Sequence, residues 1–156
     1  MNMKRITTIP MDAEWKERLS SSVINFIVGL SNKSKPKYMS LRDKLLSIGG
    51  EEVCLCYESD LDEIFERGQF FKGKSKMIKG RPCRCHTNVG YLFDEHPNVF
   101  RVATGWALSE DGVWRQHSWA INITNNTLIE TTVKRKAYYG FILNEKECCE
   151  WVENNC

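Results

Sequence analysis

The sequence predicts an α+β fold in which N-terminal helices pack on an antiparallel four-stranded sheet, and three observations lead there. Apolar residues in the first half recur every three or four positions, the period of one helix face. From Val99 onward they alternate, or run unbroken, between turn signals, the pattern of strands. The order along the chain is helices, then an antiparallel meander, then a helix, which is that of an α+β fold. At 156 residues, with 42% apolar and 27% charged side chains, the chain suits a single globular domain over residues 1–156.

Each element has a local reason. Trp15, Leu19, Val23, Phe26, Ile27 and Leu30 mark one helix face behind an Asp12 cap. A second helix runs from Ser40 through Leu41, Leu45 and Leu46 to a Gly49-Gly50 stop, and a third from Ser59 to Arg67 before Gly68. Val53 to Tyr57 reads as a short strand between them. A fourth helix, Cys85 to Glu95, ends at His96-Pro97. Strands follow over Val99–Leu108, Val113–Ile123, Leu128–Val133 and Tyr138–Leu143, with turns at Glu110-Asp111-Gly112 and Asn125-Asn126, giving a meander. Asn144 with Glu147 forms a capping box for a last helix to about Val152.

Composition narrows the function classes. No apolar run approaches the roughly 18 residues that cross a bilayer, so no membrane association is expected. The opening MNMKRITTIPMDAEWKERL has no continuous apolar region behind its basic residues, which points to a cytoplasmic protein. Seven cysteines there are reduced thiols, not a disulfide scaffold. A net charge of +2 gives no global field toward nucleic acid. Only the stretch Lys72 to Arg84, with six basic residues, no acid, two glycines and a proline, forms a local basic loop.

The nucleophile candidates lie at the end of that loop. Cys85 stands where the loop carrying Arg81 and Arg84 becomes a helix, and a helix N-terminus beside cations favours thiolate. Cys83 lies further into the loop, after Pro82, and gains less from the helix. A thiolate needs an imidazole partner, and the imidazole needs a third group to fix its tautomer. His117 shares a strand face with Trp119, Ile121 and Ile123, and strand parity puts Glu130 of the next strand on the same face. A strict two-residue turn at Asn125-Asn126 would set His117 opposite Lys134, so a bulge or wider turn is required for contact. The backbone N–H of Cys85 is a natural oxyanion donor, with Gln69 as a candidate second.

These residues resemble the transglutaminase-like branch of the papain-like cysteine enzymes. The resemblance spans Pro82 to Thr132, about a third of the chain. It rests on Cys85-His86-Thr87-Asn88 opening a helix, Arg101-Val102-Ala103-Thr104-Gly105-Trp106 on a strand, His117-Ser118-Trp119, and Ile129-Glu130-Thr131-Thr132, with Glu where the family more often has Asp. It implies a papain-like or transglutaminase-like core with Cys85 as nucleophile, His117 as base and Glu130 as the orienting acid. The activity implied is that of a thiol enzyme working on amide or acyl groups through a covalent thioester: peptide hydrolysis, glutamine deamidation or acyl transfer. No cofactor is implied, and the partner is a protein or peptide substrate, with Trp106 at the cleft rim, Trp119 and Arg84 as substrate-binding candidates.

Two other readings compete. Cys54 and Cys56, Cys83, Cys85 and His86, and Cys148 and Cys149 offer soft ligands, but CxC and CC spacings do not form a zinc knuckle, so no metal is expected. Trp106, Trp114 and Trp119 with Tyr138, Tyr139 and Phe141 could stack bases beside the basic loop 72–84, making a non-catalytic binder of nucleic acid or an acidic partner.

Overall fold

The computed structural model describes residues 4–72 and 75–156. Asp12 caps α1 (Ala13–Gly29), its carboxylate accepting from the Glu14 and Trp15 amides. Leu19 and Val23 are buried, whereas Trp15 in the first turn stays exposed, so the stripe packs only beyond that turn. α2 (Lys35–Ile48) starts at Lys35 instead of Ser40, because Pro36 sits in the first turn, where a missing N–H is harmless. β1 is confined to Glu52–Val53, and α3 covers Leu61–Arg67.

The sheet is larger than the four strands expected. Besides β1 it contains β2 (Gln69–Phe71), β3 (Lys76–Met77), β4 (Phe100–Leu108), β5 (Val113–Asn122), β6 (Thr127–Glu130) and β7 (Ala137–Ile142). The order is β2-β7-β4-β5-β6-β3, with β1 beside β5. Among the described strands only the β1–β5 and β3–β6 pairs are parallel. β3 lies within the stretch read as an uninterrupted basic loop, whose Lys74 falls outside the described residues. The meander is corrected as well. After β6 the chain crosses back, and β7 pairs with β4. Glycines make that pairing close: a Cβ on Gly105 would lie 2.2 Å from the Tyr139 carbonyl oxygen, and one on Gly140 2.1 Å from that of Thr104.

The two faces of the sheet differ. Val102, Trp106, Leu108, Trp114, Ala120 and Phe141 face the main core, where buried residues of α1, α2, α3, α4 (Cys85–Glu95) and α5 (Glu145–Asn155) meet them. The other face carries a smaller cluster of Ala103, Ala107, Trp119, Ile121 and Tyr138. Phe71 on β2 and Trp119 on β5 bring their rings to 5.5 Å across three strand spacings, which in a flat sheet would total about 14 Å. The sheet therefore curls, and this smaller face is its concave inside. α5 carries the capping box expected between Asn144 and Glu147. Among the described residues no helix is long and apolar enough to cross a membrane.

Candidate active site

α4 begins at Cys85, as its sequence pattern predicts. The turn before it is tight: Cys83 adopts φ +56°, in the left-handed region that strains a side chain, and is exposed. Arg84 is exposed at the N-cap. Asn88, one turn into the helix, clamps the loop by accepting from the Arg81 amide (3.1 Å) and donating to the Arg81 carbonyl (2.9 Å) and Thr131 Oγ1 (3.4 Å). The basic segment is thereby tied to the end of β6.

The turn between β5 and β6 is wider than two residues. Asn122 pairs with Thr127, so Ile123 to Asn126 form the turn, with Asn126 in the left-handed conformation that asparagine tolerates. The register Ala120↔Ile129 then sets Trp119 against Glu130 and leaves His117 two residues away on the same face. Such a diagonal is about 7 Å between Cβ atoms, a gap that the longer glutamate side chain spans.

His117 Nε2 lies 2.9 Å from Glu130 Oε2 and 3.2 Å from Oε1. Its other nitrogen is left for Cys85, which stands close enough for thiol and imidazole to shift each other's pKa. The β5–β6 ladder ends at Ala120, so Ser118 has no β6 partner, and its backbone N–H, with that of His86, serves the sulfur. Glu130 is fully buried and saturated. Oε1 also accepts from the Thr131 and Thr132 amides (2.9 and 3.0 Å) and Thr132 Oγ1 (3.0 Å), and Oε2 from the Tyr138 hydroxyl (2.8 Å).

The electrostatics follow from that geometry. Burial alone would raise the Glu130 carboxyl, but His117, the Thr132 amide and Tyr138 outweigh it and hold it down to about 2. Burial opposes a charged His117, yet its bonds to Cys85 and Glu130 raise its pKa above the ordinary value. Burial also opposes a Cys85 anion, and His117 with the surrounding amides lowers the thiol nonetheless. All three shifts favour thiolate, imidazolium and carboxylate together.

The remaining candidates are placed differently. Gln69 is exposed at the head of β2, in the row Gln69–Gly140–Gly105–His117 that crosses four strands. Among the described residues it hydrogen-bonds neither Cys85 nor His117. Trp106, expected at the cleft rim, is fully buried on the opposite face of the sheet from His117, because strand alternation turns it toward the helices. Trp119 is fully buried too, stacked on His117 with ring centroids 6.4 Å apart and planes at 24°. With Trp114 also buried, these tryptophans offer no platform for bases. Among the described residues no three His, Cys, Asp or Glu side chains gather into a metal site.

Two participants escaped the sequence reading. Tyr138 reaches Glu130 only because β7 returns beside β4, a crossing with no local signal. His86 places Nδ1 2.7 Å from Ser118 Oγ, which donates to Thr104 Oγ1 at 3.0 Å. The adjacency of His86 to Cys85 and of Ser118 to His117 was the available clue. Compared with models of protein families, with curated proteins and with solved structures, the chain matches none.

Proposed function

We propose that the protein is a thiol enzyme of the papain-like or transglutaminase-like kind, acting on amide or related acyl groups through a covalent thioester. One observation carries the reading: a buried imidazole held by a buried carboxylate stands beside a helix-starting thiol, with the pKa of every member shifted toward the ion pair. An isolated structural histidine has no need of that polarity.

In the first half-reaction the Cys85 thiolate attacks the carbonyl carbon, and the electron pair moves to oxygen. Backbone N–H groups at the start of α4 are positioned as oxyanion donors, the Cys85 N–H foremost. The carbon–nitrogen bond then breaks as His117 gives its proton to the leaving nitrogen. In the second half, water or an amine attacks the thioester, His117 takes its proton, and the thiolate departs. Glu130 stays ionised throughout, holding Nε2–H and leaving Nδ1 to serve the sulfur. Hydrolysis, deamidation and acyl transfer differ only in which nitrogen leaves and what attacks second.

Alkylation by iodoacetamide, followed site by site with mass spectrometry across pH, tests the reading. Cys85 is expected to react well below pH 8 and to lose that reactivity in His117→Ala. Uniform, slow labelling of all seven cysteines would overturn it.

A further inference from the structure

A cleft of about 570 Å³ opens on the helix-covered side of the sheet, away from the face that carries His117, and neither Cys85 nor His117 lines it. Its wall includes His86 and Gln116, the chain neighbours of Cys85 and His117. That volume accommodates a long side chain. Five acids line it, of which Glu150 pairs with Lys146 at 4.0 Å, and among the described residues neither lysine nor arginine is part of the lining.

Not all of those carboxylates are free. Arg67 bonds Glu63 (3.3 Å) and Glu147 (2.7 Å) and satisfies both. Glu58 and Asp60 differ. Glu58 is only 7% exposed, yet among the described residues its oxygens meet neutral donors, Gln116 Nε2 at 2.8 Å and the Asp60 amide at 3.1 Å. The indole of the fully buried Trp106 also lies near Glu58 and favours its charged form. The Asp60 carboxylate accepts no hydrogen bond among the described residues. Burial, then repulsion from Glu63 and Glu147, raises its pKa.

The rest of the wall suits a cation as well. Burial and the charge of His117 lower the pKa of His86, which keeps this imidazole neutral, and Ser118 engages its Nδ1. Its second nitrogen is left for a ligand. Trp151 packs edge-on against His86 at 5.5 Å and lines the same space, with Tyr57, 78% exposed, as another aromatic wall. Aromatic faces beside desolvated carboxylates are how proteins receive ammonium and guanidinium groups.

We propose that this cleft is a specificity pocket for a lysine or arginine side chain of a protein substrate, seated next to the acyl group that Cys85 attacks. The proposal rests on the catalytic reading of Cys85. A bound cation supplies the charge that Glu58 and Asp60 lack, and its position over His86 sets which acyl group reaches the sulfur.

Small thiol reagents test this without a known substrate. The full chain is labelled with the cationic trimethylammonioethyl methanethiosulfonate and with neutral methyl methanethiosulfonate, and the Cys85 rates are read by mass spectrometry. At low salt the cationic reagent is expected to exceed the neutral one by about tenfold at Cys85, the lower end of electrostatic steering into a charged cleft. The ratio is expected to fall severalfold in Asp60→Asn and in 0.5 M salt, roughly three times the ionic strength of physiological buffer. Glu58→Gln is the second variant, with its fold checked by circular dichroism. A ratio near one in the unaltered protein, with Cys85 still reactive, would overturn the pocket and leave the thiol enzyme standing. A Cys85 slow toward both reagents at neutral pH would overturn the catalytic reading and the pocket with it.

Discussion

The two faces of the curled sheet solve opposite problems. On the helix-covered face, Trp106, Trp114, Leu108 and Val102 are buried among side chains from all five helices, and what they contribute is apolar area removed from water. On the concave face the buried groups are His117, Glu130 and Tyr138 among Trp119 and alanines. There a charge is tolerated only because five donor groups converge on one carboxylate. One face supplies stability, and the other uses some of it to hold an ion pair in place.

Substitutions can separate the two roles, and the largest effect belongs to the concave face. In Glu130→Gln the carbonyl oxygen of the amide is expected to take the Oε1 position, where three donors of Thr131 and Thr132 point. The NH2 group then faces His117 Nε2 and pushes its proton to Nδ1, where it can no longer accept from sulfur. A fall in kcat of roughly 10³ to 10⁴ is expected for this wrong tautomer. Steady-state kinetics on a nearly unfolded-free sample checks it, and a loss below tenfold would show that Glu130 does not set the tautomer. Cys85→Ala should abolish turnover while leaving the melting temperature close to that of the parent.

On the other face, Trp106→Ala removes a fully buried indole. Its expected cost is about 3–5 kcal/mol of unfolding free energy, with the pH profile of Cys85 labelling unchanged in the folded fraction. Denaturant melts and labelling on one sample separate these outcomes. A shifted labelling profile would mean that the two faces are coupled.

Acid provides a gentler probe. The Glu130 carboxyl is held to about 2 in the folded protein against an ordinary 4.5, so its contribution is present above about pH 4.5 and lost as pH falls through 2. His117 has the opposite sign. Its raised pKa gives stability that is present below about 6.5 and lost as pH rises through the folded value. Stability from this pair therefore declines on both sides of a mildly acidic maximum, and Glu130→Gln should flatten the acid limb in urea melts taken from pH 5 to 2. The smallest effect is expected for Cys83→Ala, with most activity retained. Inactivity there, with Cys85→Ala still active, would transfer the nucleophile's role to Cys83.

Much of this site was legible because its parts are local. The start of α4 at Cys85 follows from loop composition and helix period, and the shared face of His117 and Glu130 follows from parity, which any turn with that parity preserves. The same parity places Trp106 opposite Gln116, on the face away from His117, so its rim position was an avoidable error. The Pro36 signal for the start of α2 was also present. The pairing of β7 with β4, the additions of β2 and β3, and hence Tyr138's approach to Glu130, depend on tertiary packing of segments far apart in sequence. No window of residues encodes them.

The strand pairing also sets an order of assembly. Among the described residues, each strand from the first half of the chain, β1, β2 and β3, pairs with a strand of the second half, β5, β7 and β6. The hairpin of β4 and β5, closed at Asp111 and Gly112, is by contrast local and able to form early. During synthesis the leading helices therefore emerge with their apolar faces uncovered and wait for residues as late as Ile142. The gap between Cys85 and His117 closes only once that wait is over.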